Sequence, residues 1–280
     1  MRRRSVKTCP GGAAIPHVRV SGLNMYYESH GEGEPLLLIA GLGGDVGDWR
    51  FQIPELSRKY RVVVFDNRGA GRTDSPDLPY SIRMMSDDTV GLLDALGIDS
   101  AHVVGVSMGG YVAQELAIRY PGRVRSLILA STAAGPYLLE TPILNAWAAT
   151  ALDGVSKETF FQIMLPFIFT DKLSESEEMV QMAIDLIAMN RSDVSCGLAR
   201  QLIACVEHNA RGRIGRIAVP ALVLAGRDDA FVPFTLSEEL ASSIPNGRLQ
   251  VVEGGGHGAS AEAPGRFNQA VLEFLAQIAW

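Results

Sequence analysis

Short apolar runs that alternate with amphipathic helical patterns limit this chain more than any other feature. Runs rich in Val, Ile and Leu fall at residues 25–28, 36–40, 61–65, 102–106, 126–130, 221–225 and 249–252. Most are too short for a stable helix and are bounded by Gly, Pro or Asp, so they predict strands. Between them, Ile82, Met85, Thr89, Leu92, Leu93 and Leu96 share one helical face, and residues 111–120 and 267–279 show similar spacing. Strands this apolar must be covered on both faces. The pattern therefore predicts an α/β fold built on a mostly parallel, doubly wound sheet with flanking helices.

One region breaks the alternation. Residues 134–217 carry helical signals and no convincing strand, with Pro136, Pro142 and Pro166 as punctuation and Ser174-Glu175-Ser176-Glu177 resembling a capped helix start. The expectation is a helical cap inserted into a core formed by residues 18–133 and 218–280. Residues 1–17, which include Arg2, Arg3, Arg4 and His17, are expected to form a flexible tail. The cap supplies candidate walls for an apolar pocket. Trp147 and Phe161 are the chosen substrate-binding candidates, with Phe160, Met164, Phe167, Phe169, Met179, Met182 and Met189 beside them. Arg191, Arg200 and Arg211 are the cations there that could face a carboxylate-bearing substrate.

Charge and composition exclude some classes of function. With 25 Lys and Arg against 31 Asp and Glu, the net charge of −6 offers no basic field for nucleic acid. No stretch is long and apolar enough to span a bilayer, and no apolar leader segment follows Arg4. Cys9, Cys196 and Cys205 lack metal-ligand spacing and suit a reducing compartment, so a cytoplasmic protein without metal or cofactor is expected.

The chemistry centres on Gly105-Val106-Ser107-Met108-Gly109-Gly110, placed where an apolar strand meets a helical pattern. A serine hydroxyl attacks well when it protrudes from a sharp strand-to-helix turn, and glycines two residues before and after leave room for that turn. Ser107 then needs a base held by a third group. Of five histidines, His17, His30, His102 and His208 suit surface or packing roles. His257 lies in the loop Gly254-Gly255-Gly256-His257-Gly258 after a strand, where parallel sheets gather their chemistry. The acid belongs on another such loop, Gly226-Arg227-Asp228-Asp229, and by position either Asp228 or Asp229 serves. Oxyanion donors are expected from the backbone N–H of Met108 and, in the Ala40-Gly41-Leu42-Gly43-Gly44 loop, from Leu42. The chain order is Ser, Asp, His.

Together these segments resemble the α/β-hydrolase superfamily across residues 18–279. Asp66-Asn67-Arg68-Gly69-Ala70-Gly71 looks like its Asp-x-Arg-Gly-x-Gly loop, and Val219-Pro220 precedes the acid strand as in the family. The family's Gly-x-x-Asp-x-x-x-Pro pattern falls on Gly226, Asp229 and Pro233, which favours Asp229 as the acid. Many relatives have His-Gly where this chain has Ala40-Gly41. Serine at position 107 argues against the family's Asp-nucleophile dehalogenases and epoxide hydrolases. The resemblance is to 3-oxoadipate enol-lactonases, small esterases and cofactor-free haloperoxidases (perhydrolases). It implies cleavage of a small-molecule ester or lactone through an acyl-enzyme on Ser107. A C–C bond hydrolase, a perhydrolase or a small-molecule receptor would carry the same triad.

Overall fold

The apolar runs become strands with nearly the expected bounds. In the computed structural model, which describes residues 17–171, 176–178, 180–181 and 196–278, they are β2 (Leu23–His30), β3 (Glu34–Ile39), β4 (Tyr60–Phe65), β5 (Ala101–Val106), β6 (Val124–Ala130), β7 (Ala221–Gly226) and β8 (Gly247–Val252). Arg2 to Arg4, Cys9, Ser174, Glu175, Met179, Met182, Met189 and Arg191 lie outside the described residues. With a further short strand, β1 (His17–Val20), these strands form one eight-stranded sheet of order β1-β2-β4-β3-β5-β6-β7-β8. From β4 across to β8 all neighbours pair parallel, while β1 and β2 run antiparallel at one edge.

The edge strand β1 (His17–Val20) corrects one expectation, because His17 belongs to the sheet and not to a tail. It pairs with Tyr26, and the two rings meet edge to face with centroids 5.3 Å apart. The signal was present but short. Val18 and Val20 alternate, and Ser21-Gly22 is a two-residue hairpin loop with φ of 49° and 84°, the conformation that such tight turns require.

The sheet is buried on both faces, which explains the lack of polar alternation in its central strands. Leu37, Ile39, Val63, Phe65 and Val103 point to one side, into a cluster with Met85, Leu92, Val112 and Leu116. Leu36, Leu38, Val62, Val64 and Val104 point to the other, against Phe267, Val271 and Phe274. The covering helices are α1 (Ile82–Ala95) and α2 (Met108–Arg119) on the first face. On the second lies the carboxyl-terminal helix Pro264–Leu275. Ser81 caps α1 by accepting a hydrogen bond from Met84 N at 3.2 Å. Between β6 and β7 the chain forms α3 (Glu140–Leu152), α4 (Lys157–Ile168) and α5 (Cys196–Glu207). Pro166 sits in the last turn of α4, which ends two residues later.

One buried ion pair ties the loop after β4 to α1. Arg68 donates Nε to Asp88 Oδ2 at 2.6 Å and an Nη to Oδ1 at 2.7 Å, with both side chains almost wholly buried. Such a two-point pair is satisfied only while both partners remain. Asp88→Ala, which strands the Arg68 guanidinium, should cost about 3–5 kcal/mol. In a chain of this size that is a fall in Tm on the order of 10 °C by thermal melting. A paired Arg68→Met, Asp88→Leu variant should recover most of the loss, whereas a single substitution without effect would show that the pair does not hold the loop.

Candidate active site

Because β3 to β8 run parallel, the loops leaving β3, β5, β7 and β8 emerge along one edge of the sheet, and the candidate residues meet there. Ser107 lies between β5 and α2 with φ 54° and ψ −120°, a conformation rarely taken by a side-chain-bearing residue. The surroundings hold it. Ser107 N donates to Ala130 O at 2.9 Å, and Ser107 O accepts from Gly110 N at 2.8 Å and from the Thr132 hydroxyl at 3.0 Å. The flanking glycines are sterically required. A Cβ on Gly105 would come within 2.3 Å of Gly109 O, and one on Gly109 within 2.1 Å of Ile39 O. Only bare backbone lets α2 start this close to β3 and β5.

His257 follows β8 and faces Ser107, with Nε2 and Oγ 3.0 Å apart. Its Nδ1 is 3.0 Å from Asp229 Oδ2. The other carboxylate oxygen, Oδ1, accepts from Phe231 N at 2.9 Å and Val232 N at 2.7 Å, so the turn after β7 fixes the carboxyl's aim. Asp228, its neighbour, is exposed. The ionised Asp229 only accepts, so the neutral imidazole that fits carries its proton on Nδ1 and turns the Nε2 lone pair to the Ser107 hydroxyl. Burial disfavours the imidazolium, but the charge and hydrogen bond of Asp229, with the charges of Glu140 and Glu262, outweigh it and raise the His257 pKa.

The other histidines stand elsewhere. His30 pairs with Glu28, His102 lies between Ser126 and Glu34, and the His208 ring packs on Tyr111.

Leu42 and Met108 line the same cavity of about 210 Å³ as Ser107 and His257. Met108 opens α2, so its N–H has no partner within the helix. Gly41 lies against the serine, and a Cβ there would be 3.3 Å from Ser107 Cβ. Both cap candidates also reach this cavity. Trp147 is buried and stacks on Phe231 at 5.3 Å, while Phe231 meets the His257 ring edge-on at 5.1 Å. Phe161 is partly buried beside it, and Met164 and Phe169 add to the wall, whereas Phe160 and Phe167 do not line it. Arg200 and Arg211 turn elsewhere. Arg200 binds Pro76 O and Asp77, and Arg211 binds the Gly135 and Pro136 carbonyls.

Some supporting residues carried no local sequence signal. Gln201 on α5 is fully buried, accepts from Gly43 N at 2.9 Å and donates to Arg68 O at 2.8 Å, so it ties α5 to the Gly41–Gly44 loop. Glu262 accepts from Gly256 N at 2.7 Å and from Thr170 N and Oγ1, both at 2.8 Å, and so joins the His257 loop to the segment after α4. Glu140 and Asp48 also line the cavity. These positions lie far apart in the chain and only folding makes them neighbours. Among the described residues no group of three or more His, Cys, Asp or Glu side chains is placed to hold a metal ion, and no helix is long and apolar enough to cross a membrane.

Residues 34–168 match the family model of the alpha/beta hydrolase fold, and residues 200–278 match that of TAP-like proteins. A protein of Azorhizobium caulinodans bearing the name carbamate hydrolase RutD is 34% identical over 94% of this chain and 99% of its own length. The crystal structure of an enol-lactonase from Burkholderia xenovorans LB400 superposes with a TM-score of 0.85 at 29% identity, covering 94% of this chain and 100% of that one. A thermophilic esterase from Thermogutta terrifontis superposes with a TM-score of 0.86 at 27% identity, over 95% of this chain and 99% of that one.

The imidazole environment can be read without any substrate. His257 should titrate above the ordinary imidazole value of about 6.5. Asp229→Asn removes the largest influence holding the imidazolium and leaves burial, so the midpoint should fall below that value. Histidine NMR titration of both proteins checks the sign, and an unchanged midpoint in Asp229→Asn would exclude the contact as the cause.

Proposed function

Because the chain belongs to the α/β-hydrolase family, we propose that it is a serine hydrolase that cleaves a carboxylic ester or lactone through an acyl-enzyme on Ser107. The observation that carries this reading is the chain of 3.0 Å contacts from Ser107 Oγ through His257 to Asp229, opening into a mainly apolar cavity. As Ser107 Oγ attacks the carbonyl, His257 Nε2 takes its proton. Asp229 stays ionised and stabilises the imidazolium. The carbonyl oxygen becomes an oxyanion and accepts hydrogen bonds from the backbone N–H groups of Leu42 and Met108. His257 then gives the proton to the leaving alkoxide, and the acyl group remains on Ser107. Water deprotonated by the same imidazole attacks the acyl-enzyme, and collapse of the second tetrahedral species releases the acid and restores the Ser107 hydroxyl.

In this reading residues 134–217 act as a cap over the core of residues 18–133 and 218–280, and Trp147 and Phe161 bound the substrate. The small cavity suits a short acyl or alcohol portion. The free thiols Cys196 and Cys205 accord with a reducing, cytoplasmic setting. A carbamate carbonyl can enter the same sequence of steps, so the substrate panel should hold p-nitrophenyl esters and carbamates of graded length together with lactones.

Ser107→Ala should fold with an unchanged Tm and lose roughly four or more orders of magnitude in kcat on its best substrate. Asp229→Asn should lose about 10⁴-fold, the size of that change in serine proteases, and Asp228→Asn less than about tenfold, as a turn residue does. Undiminished turnover in Ser107→Ala would end the assignment. The pH profile follows from the raised His257 pKa. The base works only when neutral, so kcat/KM should rise with pH through a midpoint above about 6.5, and a midpoint clearly below it would contradict the geometry. Shortening Trp147 or Phe161 should change relative kcat/KM across acyl lengths, since each methylene contributes about 1–3 kcal/mol of discrimination. A uniform loss over the panel would instead mark both as packing residues.

A further inference from the structure

The acyl-transfer steps route no proton or bond through Glu140, yet this residue lines the cavity with Ser107 and His257. It sits in the first turn of α3 and is only 3% exposed. Leu144, Trp147, Cys205 and Phe231 line the same cavity. Its hydrogen bonds are long. Oε1 accepts from the Tyr111 hydroxyl at 3.2 Å and Oε2 from Tyr137 N at 3.4 Å. A carboxylate offers about four acceptor sites, so it retains capacity for a further donor. Burial raises its pKa, against the Tyr111 and Tyr137 hydrogen bonds and the charges of His257 and Arg211. Arg211 does not come to meet it, being held by two carbonyls and an ion pair to Glu239 at 3.5 Å. Among the described residues that line the cavity there is no Lys or Arg, and the carboxylates are Glu140 and Asp48.

From this placement we infer that Glu140 determines substrate class, accepting a hydrogen bond from a hydroxyl, amide N–H or amine on the substrate and turning away a substrate that carries a carboxylate there. The inference rests on the proposed acyl transfer at Ser107. An acceptor in an apolar wall discriminates strongly, because a partner without a donor leaves it unpaired and a second carboxylate adds like-charge repulsion.

Two alkyl fluorophosphonates of equal length, one ending in a hydroxyl and one in a carboxylate, test it through the rate of Ser107 labelling, which needs no ester turnover. The parent protein should favour the hydroxyl probe by about 100-fold or more. In Glu140→Gln, which keeps the side chain's shape and removes its charge, the ratio should fall by at least about tenfold. Tyr111→Phe breaks the hydrogen bond that a purely structural Glu140 would need but leaves the charge, so the ratio should stay within about threefold of the parent. Equal labelling by the two probes, or an equal collapse in Tyr111→Phe and Glu140→Gln, overturns the inference while the catalytic reading stands. If neither probe labels Ser107, both fall together. Should Glu140→Gln fail to fold, the parent ratio and Tyr111→Phe still decide.

Discussion

Ser107 adopts a backbone conformation that disfavours any side chain, and the carboxyl edge of the sheet is organised to hold it there. The strain persists because several constraints act on the same few atoms. Its N–H is bound by β6, its carbonyl by the first turn of α2 and by Thr132, and the start of the helix lies against the backbone of β3. A strained residue survives only when its neighbours over-determine it. Around Gly105 and Gly109 the nearest atoms are backbone, and for that reason neither can gain a Cβ without moving β3 or α2.

The same principle extends outward from the serine. Asp229 is aimed by two N–H groups of its own turn, and His257 is aimed by Asp229 on one side and by the edge of Phe231 on another. The loops bearing these groups are in turn joined to the helices between β6 and β7. Gln201 links α5 to the Gly41–Gly44 loop, and Glu262 links the segment after α4 to the His257 loop. The position of those helices is therefore coupled to the Gly41–Gly44 loop and to the loop that carries the imidazole.

Electrostatics inside the cavity are one-sided. Asp229, Glu140 and Glu262 all favour the imidazolium of His257 and outweigh the burial that opposes it. In the proposed acyl transfer that arrangement strengthens the base that takes the Ser107 proton, while demanding a pH high enough for the ring to start neutral. Among the described residues the cavity lining holds no Lys or Arg, so in the inferred role of Glu140 the charge that helps the base also shapes which molecules can approach it.

The periodicity of the chain by itself determined most of the architecture. Strands apolar on both faces can exist only inside a covered, largely parallel sheet, so seven runs and their spacing were enough for the fold class and for the strands from β2 to β8. The same reading placed Ser107 at a strand-to-helix turn and His257 and the Asp228-Asp229 pair on strand-end loops, because parallel topology sends such loops to one edge. It missed β1, since four residues at a sheet edge carry too little pattern against their polar flank. Tertiary structure alone decided the rest. By position alone the two adjacent aspartates look alike, and only the resemblance to the family's spacing favoured Asp229. The physical reason lies in the turn after β7, which buries that carboxylate against His257 while Asp228 is exposed. Glu140, Gln201 and Glu262 likewise acquire their partners from segments 29 to 158 positions away or across a packed loop. A buried polar side chain gains meaning only from the donor or acceptor that folding sets beside it, and no local pattern records that partner.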